Sequence, residues 1–396
     1  MLKQTKKMRH SIIWYLRRIL VLSMVFCLGA SICFFSGCMS ANNTSQETAE
    51  EISAQDLTVD EKVEKIIANM SDAEKAGQLV MVGVQGIAIN DDIKYLLNEY
   101  NIGGVILFDR NMESQEQVAE FNKQLQASAG GELPLFIAVD EEGGAVARMK
   151  ESLPPPPAQR EIGMTGKPEH AKVWAAKTAQ RLKNIGFNAN FAPVADVGQD
   201  SIGRMYSGDA NIVVSFVEAA VNGYGMENML CSLKHFPGIG RGKEDSHDDF
   251  VSVSAGEATL NNTDMHPFKY MIDHGNQDNY WIMVTHVTYT ALDPDNPASL
   301  SKVVMTDLLR DKLGYKGIII TDDLDMGAIA KYYDYSDVGV RAIEAGADIV
   351  MVCHEYEHEI AAYNGILRAV ESGRISKERL DSSVKRVIKA KLLHLL

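Results

Sequence analysis

The chain has 396 residues, more than one small module needs and enough for two domains or one large α/β barrel. An apolar fraction of 46% beside a charged fraction of 23% excludes intrinsic disorder, a collagen-like repeat and a polytopic membrane protein. The formal charge of −14 understates the acidity: residues 1–37 hold six Lys/Arg and no Asp/Glu, and the remainder sets 33 basic against 53 acidic residues, a net −20 that repels phosphate backbones and predicts no nucleic-acid partner.

At the amino end, Lys3, Lys6, Lys7, Arg9, Arg17 and Arg18 precede an apolar run from Ile19 to Phe35, which ends in Ser36-Gly37-Cys38. This resembles the lipobox of bacterial lipoproteins, although Phe35 stands where Leu is usual. The expectation is a signal peptide over 1–37, a lipid anchor on Cys38, a polar flexible tether over 38–58 and a folded barrel over 59–396. The folded part would then be held at the cell membrane, facing away from the cytoplasm; an uncleaved signal anchor is the alternative. Cys231 and Cys353 sit in apolar runs (MLCSL and IVMVC), where a thiol is usually a small buried hydrophobe.

Strands are predicted at Gln78–Val84, Gly104–Phe108, Leu135–Val139, Ala189–Val194, Met229–Leu233, Trp281–Val287, Gly317–Thr321 and Asp348–Val352. Helical patterns fall between them at Ser114–Ala129, Pro168–Ile185, Asn211–Met226, Met305–Leu313 and Asp337–Ala345, and a last helix from Lys377 to about His394 is expected to close the fold. Eight near-continuous apolar strands alternating with helices predict the α/β class, as a single (β/α)8 TIM-like barrel. A doubly wound sheet fits less well, because no Gly-rich dinucleotide fingerprint follows the first strand.

In such barrels chemistry gathers at the carboxyl ends of the strands. Those ends carry Asp140-Glu141-Glu142, Asp196, Lys234-His235, His286 and Asp322-Asp323. One such carboxylate is often a helix cap, but polar groups at five strand ends imply a shared pocket. The stretch Lys234–His247 (KHFPGIGRGKEDSH) describes a Gly-containing loop able to bring an imidazole to that pocket. Asp245 is spaced to orient His247. Further on, His354-Glu355-Tyr356-Glu357-His358 fits the H-E-x-x-H zinc signature. Its context argues against zinc, because Ile349–Cys353 reads as a strand and leaves only the start of a helix. The scattered His235, His266 and His286 lack the H-x-H pair of a metal-dependent amidohydrolase, so neither a metal nor a cofactor is expected.

Taken together, GGVILF (Gly103–Phe108), FIAVDEEGGAVARM (Phe136–Met149), NFAPVADV (Asn190–Val197), KHFPG…DSH (Lys234–His247), MVTHVTY (Met283–Tyr289), PASLS (Pro297–Ser301) and IIITDDLDMGA (Ile318–Ala328) resemble glycoside hydrolase family 3, in its β-N-acetylhexosaminidase branch. The resemblance implies Asp322 as nucleophile, His247 as acid/base with Asp245 its partner, and Asp140, Arg148, Arg204, Lys234 and His235 as the residues that grip the sugar. It implies retaining hydrolysis of a terminal β-linked N-acetylhexosamine in an oligosaccharide or muropeptide. Glu141 or Asp323 could instead supply the proton, but an imidazole titrates near neutrality without burial. Phosphorolysis, β-glucosidase activity and sugar binding without turnover are the alternatives within the same reading. The chain departs from the family pattern at Ala145, where Arg is usual, at Ile239, where His is usual, and in a shorter stretch between Asp196 and Arg204.

Overall fold

The computed structural model describes residues 57–131, 133–150, 152–241 and 251–396. The expected signal segment, Cys38 and the Asp245/His247 pair lie outside the described residues.

Ten strands form among the described residues: β1 (Val80–Val82), β2 (Gly104–Ile106), β3 (Phe136–Val139), β4 (Ala189–Asn190), β5 (Leu230–Phe236), β6 (Ser252–Val253), β7 (Tyr280–Val284), β8 (Thr288–Tyr289), β9 (Ile319–Asp323) and β10 (Ile349–Val352). Eight of them close a parallel barrel in the order β1-β10-β9-β7-β5-β4-β3-β2, while β6 and β8 make a separate two-stranded sheet. Every residue of β1, β2, β3, β5, β7 and β10 is buried, because helices cover the outer face and side chains fill the inner one. Inside, Trp281 meets Phe136 edge-on at 4.8 Å and Phe191 at 6.1 Å. Gly104 leaves room for this layer, since a Cβ there would lie 2.7 Å from Met81 Cε and 3.0 Å from Phe136 Cβ.

The eight barrel strands fall where the apolar runs predict them, with corrections at the fourth, which ends at Asn190 rather than Val194, and at the first. Gln78 ends the helix Asp72–Gln78 rather than opening a strand. Ser71 and Glu74 form a reciprocal capping box that starts this helix and carries the chain to the rim before β1 begins. Met305–Leu313 is also corrected in kind, being a π-helical stretch over Val303–Lys312.

The last helix, Lys377–His394, closes the pole at the amino ends of the strands. There Asp348, fully buried just before β10, accepts from Arg310 Nη2 at 2.6 Å, Arg386 Nη1 at 3.0 Å and Ser383 Oγ at 2.6 Å, with Arg379 Nη1 3.8 Å away. Burial alone would raise its carboxyl, but the three guanidinium groups hold it below the usual carboxylate range. Lys391 on the same helix is fully buried, donates to Gln78 Oε1 at 2.6 Å and pairs with no carboxylate among the described residues, so burial draws its ammonium down to about 7.

Candidate active site

A cavity of about 750 Å³ opens at the carboxyl ends of the barrel strands. Of the residues expected to form the site, Asp140, Arg148, Arg204, Lys234, His235 and Asp322 all line it. Asp245 and His247 lie outside the described residues; on either side of them Gly240 and Val251 line the cavity. Position 240 needs glycine, because a Cβ would lie 2.0 Å from Val197 O.

One wall comes from the ends of β3, β4 and β5. Lys234, buried in β5, places its Nζ 2.7 Å from Asp140 Oδ1 and 2.6 Å from Glu142 Oε1. Arg204 grips the same Glu142 with two bonds of 2.8 Å, and Arg148 Nη2 reaches Asp140 Oδ2 at 3.1 Å. Burial works against every one of these charges, yet the opposite charges prevail. Both carboxyls are held below their usual range, and the lysine and both arginines are pushed above theirs. Gly143, with φ +107°, lets the chain turn behind Glu142, where a Cβ would lie 2.4 Å from Pro157 O.

His235 is oriented from both sides. Its Nδ1 donates to Asp196 Oδ2 at 2.8 Å, which leaves Nε2 to accept from Arg204 Nη2 at 3.3 Å. Asp196 also accepts the backbone amides of His235 and Ile239 through Oδ1, at 3.1 and 2.9 Å, which ties the start of the KHFPG loop to the segment that follows β4. The wall is thus a set of fixed donors and acceptors whose charges already balance one another, suited to neutral hydroxyl and amide groups.

Across the cavity stands Asp322, in β9. In the ring of eight, β9 is four places from β3, which puts Asp322 and Asp140 on opposing sides. Asp322 is only partly exposed, and among the described residues its one hydrogen bond comes from the Asp323 amide to Oδ1, at 2.9 Å. A carboxylate so lightly held keeps a lone pair directed at whatever fills the cavity. Of the two alternative proton donors, Glu141 is buried outside the cavity lining. Its Oε2 accepts the Arg148 amide at 2.9 Å, its Oε1 has no partner among the described residues, and burial pushes the carboxyl up to about 7. Asp323 lines the cavity and pairs with His354 at 3.1 Å.

The sequence places Glu142 and Asp196 among the strand-end groups of the shared pocket but assigns them no role of their own. That they bind Lys234, Arg204 and His235 emerges only when the strands are side by side. His354 belongs to the H-E-x-x-H match and proves to line this cavity, at the end of β10 and ahead of the helix Tyr356–Glu371. Its ring binds Asp323, whereas His358 Nδ1 binds Asp325 Oδ1 at 2.7 Å, so the two imidazoles do not converge. Among the described residues no group of three His, Cys, Asp or Glu side chains is arranged to hold a metal ion.

Residues 72–390 match the N-terminal domain of glycosyl hydrolase family 3. The chain is 32% identical to the β-hexosaminidase of Nitrosomonas eutropha over 318 residues, covering 77% of this chain and 90% of that one. It is 32% identical to β-hexosaminidase A of Pseudoalteromonas piscicida over 333 residues, covering 76% of this chain and 55% of that one. The solved structure of a family 3 β-N-acetylglucosaminidase from Paenibacillus sp. str. FPU-7 superposes with a TM-score of 0.79 at 38% identity, covering 82% of this chain and 63% of that one. The chain therefore spans less than two thirds of the Pseudoalteromonas and Paenibacillus proteins.

Proposed function

The chain belongs to glycosyl hydrolase family 3, and from that premise we propose that it is a retaining exo-β-N-acetylglucosaminidase. The observation that carries this reading is the lightly held Asp322 carboxylate, facing a charge-balanced polar wall across a cavity large enough for a sugar. Asp322, ionised, attacks the anomeric carbon of the terminal N-acetylhexosamine while protonated His247 gives its proton to the departing glycosidic oxygen. Water then attacks the glycosyl-aspartate with the histidine as base, and the second displacement restores the β configuration. Asp245 orients the imidazole, and Asp140, Arg148, Lys234, Arg204 and His235 hold the hydroxyl and acetamido groups.

Gly240 and Val251, on either side of 242–250, line the cavity, which favours delivery of His247 to it. Nine residues can span at most roughly 30 Å. The substrate is a muropeptide or a chitooligosaccharide, met outside the cytoplasm by an enzyme lipidated on Cys38. Chromogenic β-glycosides with and without the 2-acetamido group test the reading. Turnover confined to the acetamido sugars supports it, and equal turnover of plain glucosides contradicts it.

A further inference from the structure

We propose that His354 is a positioning residue for Asp322, acting through Asp323; the proposal rests on the glycosidase reading above. Asp322 has one hydrogen-bond donor among the described residues, the amide of Asp323. Whatever fixes the Asp322–Asp323 peptide therefore fixes the direction of the attacking carboxylate.

Asp323 is held from several sides. His286 Nε2 and the Met326 amide donate to its carbonyl at 2.8 and 3.0 Å, the Asp325 amide donates to its Oδ1 at 3.0 Å, and His354 Nε2 lies 3.1 Å from its Oδ2. The direction of the last contact follows from Arg110. A guanidinium can only donate, so Arg110 Nη1, 3.1 Å from His354 Nδ1, requires that nitrogen to accept and leaves the proton on Nε2 for Asp323. Asp323 raises the ring's pKa, while Arg110 opposes a second proton on Nδ1. The ring also rests against Phe108, with centroids 5.3 Å apart.

The other histidine of the match completes the arrangement. His358 donates to Asp325 Oδ1 at 2.7 Å, and Asp325 Oδ2 accepts the amides of Cys353 and His354 at 3.0 and 2.8 Å. The H-E-Y-E-H segment thus clasps the D-L-D segment, His354 on Asp323 and His358 on Asp325. Its spacing, one helical turn apart, serves two carboxylates that follow the nucleophile. A purely structural role, joining the loops after β9 and β10, would use the same contacts, and the test must separate the two.

The full chain is compared with His354→Gln, His354→Asn and His354→Leu on p-nitrophenyl N-acetyl-β-glucosaminide. A glutamine amide reaches the place of the ring's Nε2 and keeps the bond to Asp323, whereas an asparagine amide reaches only the place of Nδ1. The glutamine variant is expected to keep kcat within about threefold of wild type. The asparagine and leucine variants should lose roughly tenfold to hundredfold in kcat, with KM within about twofold and the thermal midpoint within a few degrees. Equal activity in all three, a glutamine loss as deep as the leucine loss, or kcat losses that follow falls in thermal midpoint would overturn the proposal. A wild-type chain inert toward the glycoside overturns the glycosidase reading instead, and the role of His354 with it.

Discussion

The barrel carries a cluster of buried ion pairs at each pole, and the two differ in what they enclose. At the amino pole Asp348 is surrounded by Arg310, Arg379 and Arg386, and the last helix closes over it. At the carboxyl pole Asp140, Glu142 and Asp196 stand against Lys234, Arg148 and Arg204, and the cluster forms one wall of a cavity of about 750 Å³. The same chemistry therefore serves two ends. Where cations close around one carboxylate, it fastens a helix to the strands; where charges balance along an open wall, it presents fixed polar groups to a ligand.

The largest expected break in this comparison comes from His247→Ala. We expect kcat to fall roughly 10²- to 10⁴-fold on substrates with poor leaving groups and far less on activated aryl glycosides, with stability unchanged. Equal losses on both substrate types in steady-state assays would refute the acid role. Lys234→Met should sit between the two poles, because it strips a cation from Asp140 and Glu142 together. It should raise KM and also destabilise by about 3–5 kcal/mol, read by substrate titration and denaturant unfolding. Asp348→Asn should cost stability of similar size, leaving three guanidinium groups facing a neutral amide, while KM and kcat below the melting range stay at wild type. A change in KM would show that the closed cluster reaches the site.

A pH-dependent effect concerns Glu359, buried on the helix Tyr356–Glu371 with one carboxyl oxygen unpartnered among the described residues. Burial first, and Asp325 second, push its carboxyl from the ordinary 4.5 up to about 9. A raised acid contributes stability that is fully present below its unfolded value and is lost as pH rises through the folded value. Between pH 4.5 and about 9 this group should therefore make the wild type progressively less stable. Glu359→Gln should flatten that slope in unfolding measured across the window, and an unchanged slope would assign it to other groups.

Much of this was legible in the chain itself, for identifiable reasons. Barrel strands covered on both faces are continuous apolar runs, so β2, β3, β5 and β10 stand out, and the polar residues that end them mark the site. Gln78 misleads because its neighbours are apolar, while the cue that governs it, the Ser71/Glu74 cap, lies upstream. Glu142 reads as one more acidic residue until Lys234, from β5, and Arg204, from the loop after β4, are seen to need it. The histidines of H-E-x-x-H have the spacing of a metal pair, and only the placement of β9 beside β10 sends each to its own carboxylate.

The most direct test of the central claim is to stop turnover of a 2,4-dinitrophenyl N-acetyl-β-glucosaminide in acid within milliseconds and map the attached mass by peptide analysis. The account predicts one N-acetylhexosaminyl unit on the peptide carrying Asp322, localised to that residue and missing in Asp322→Asn. A label on another residue, or release of sugar with inverted configuration and no labelled peptide, would contradict it.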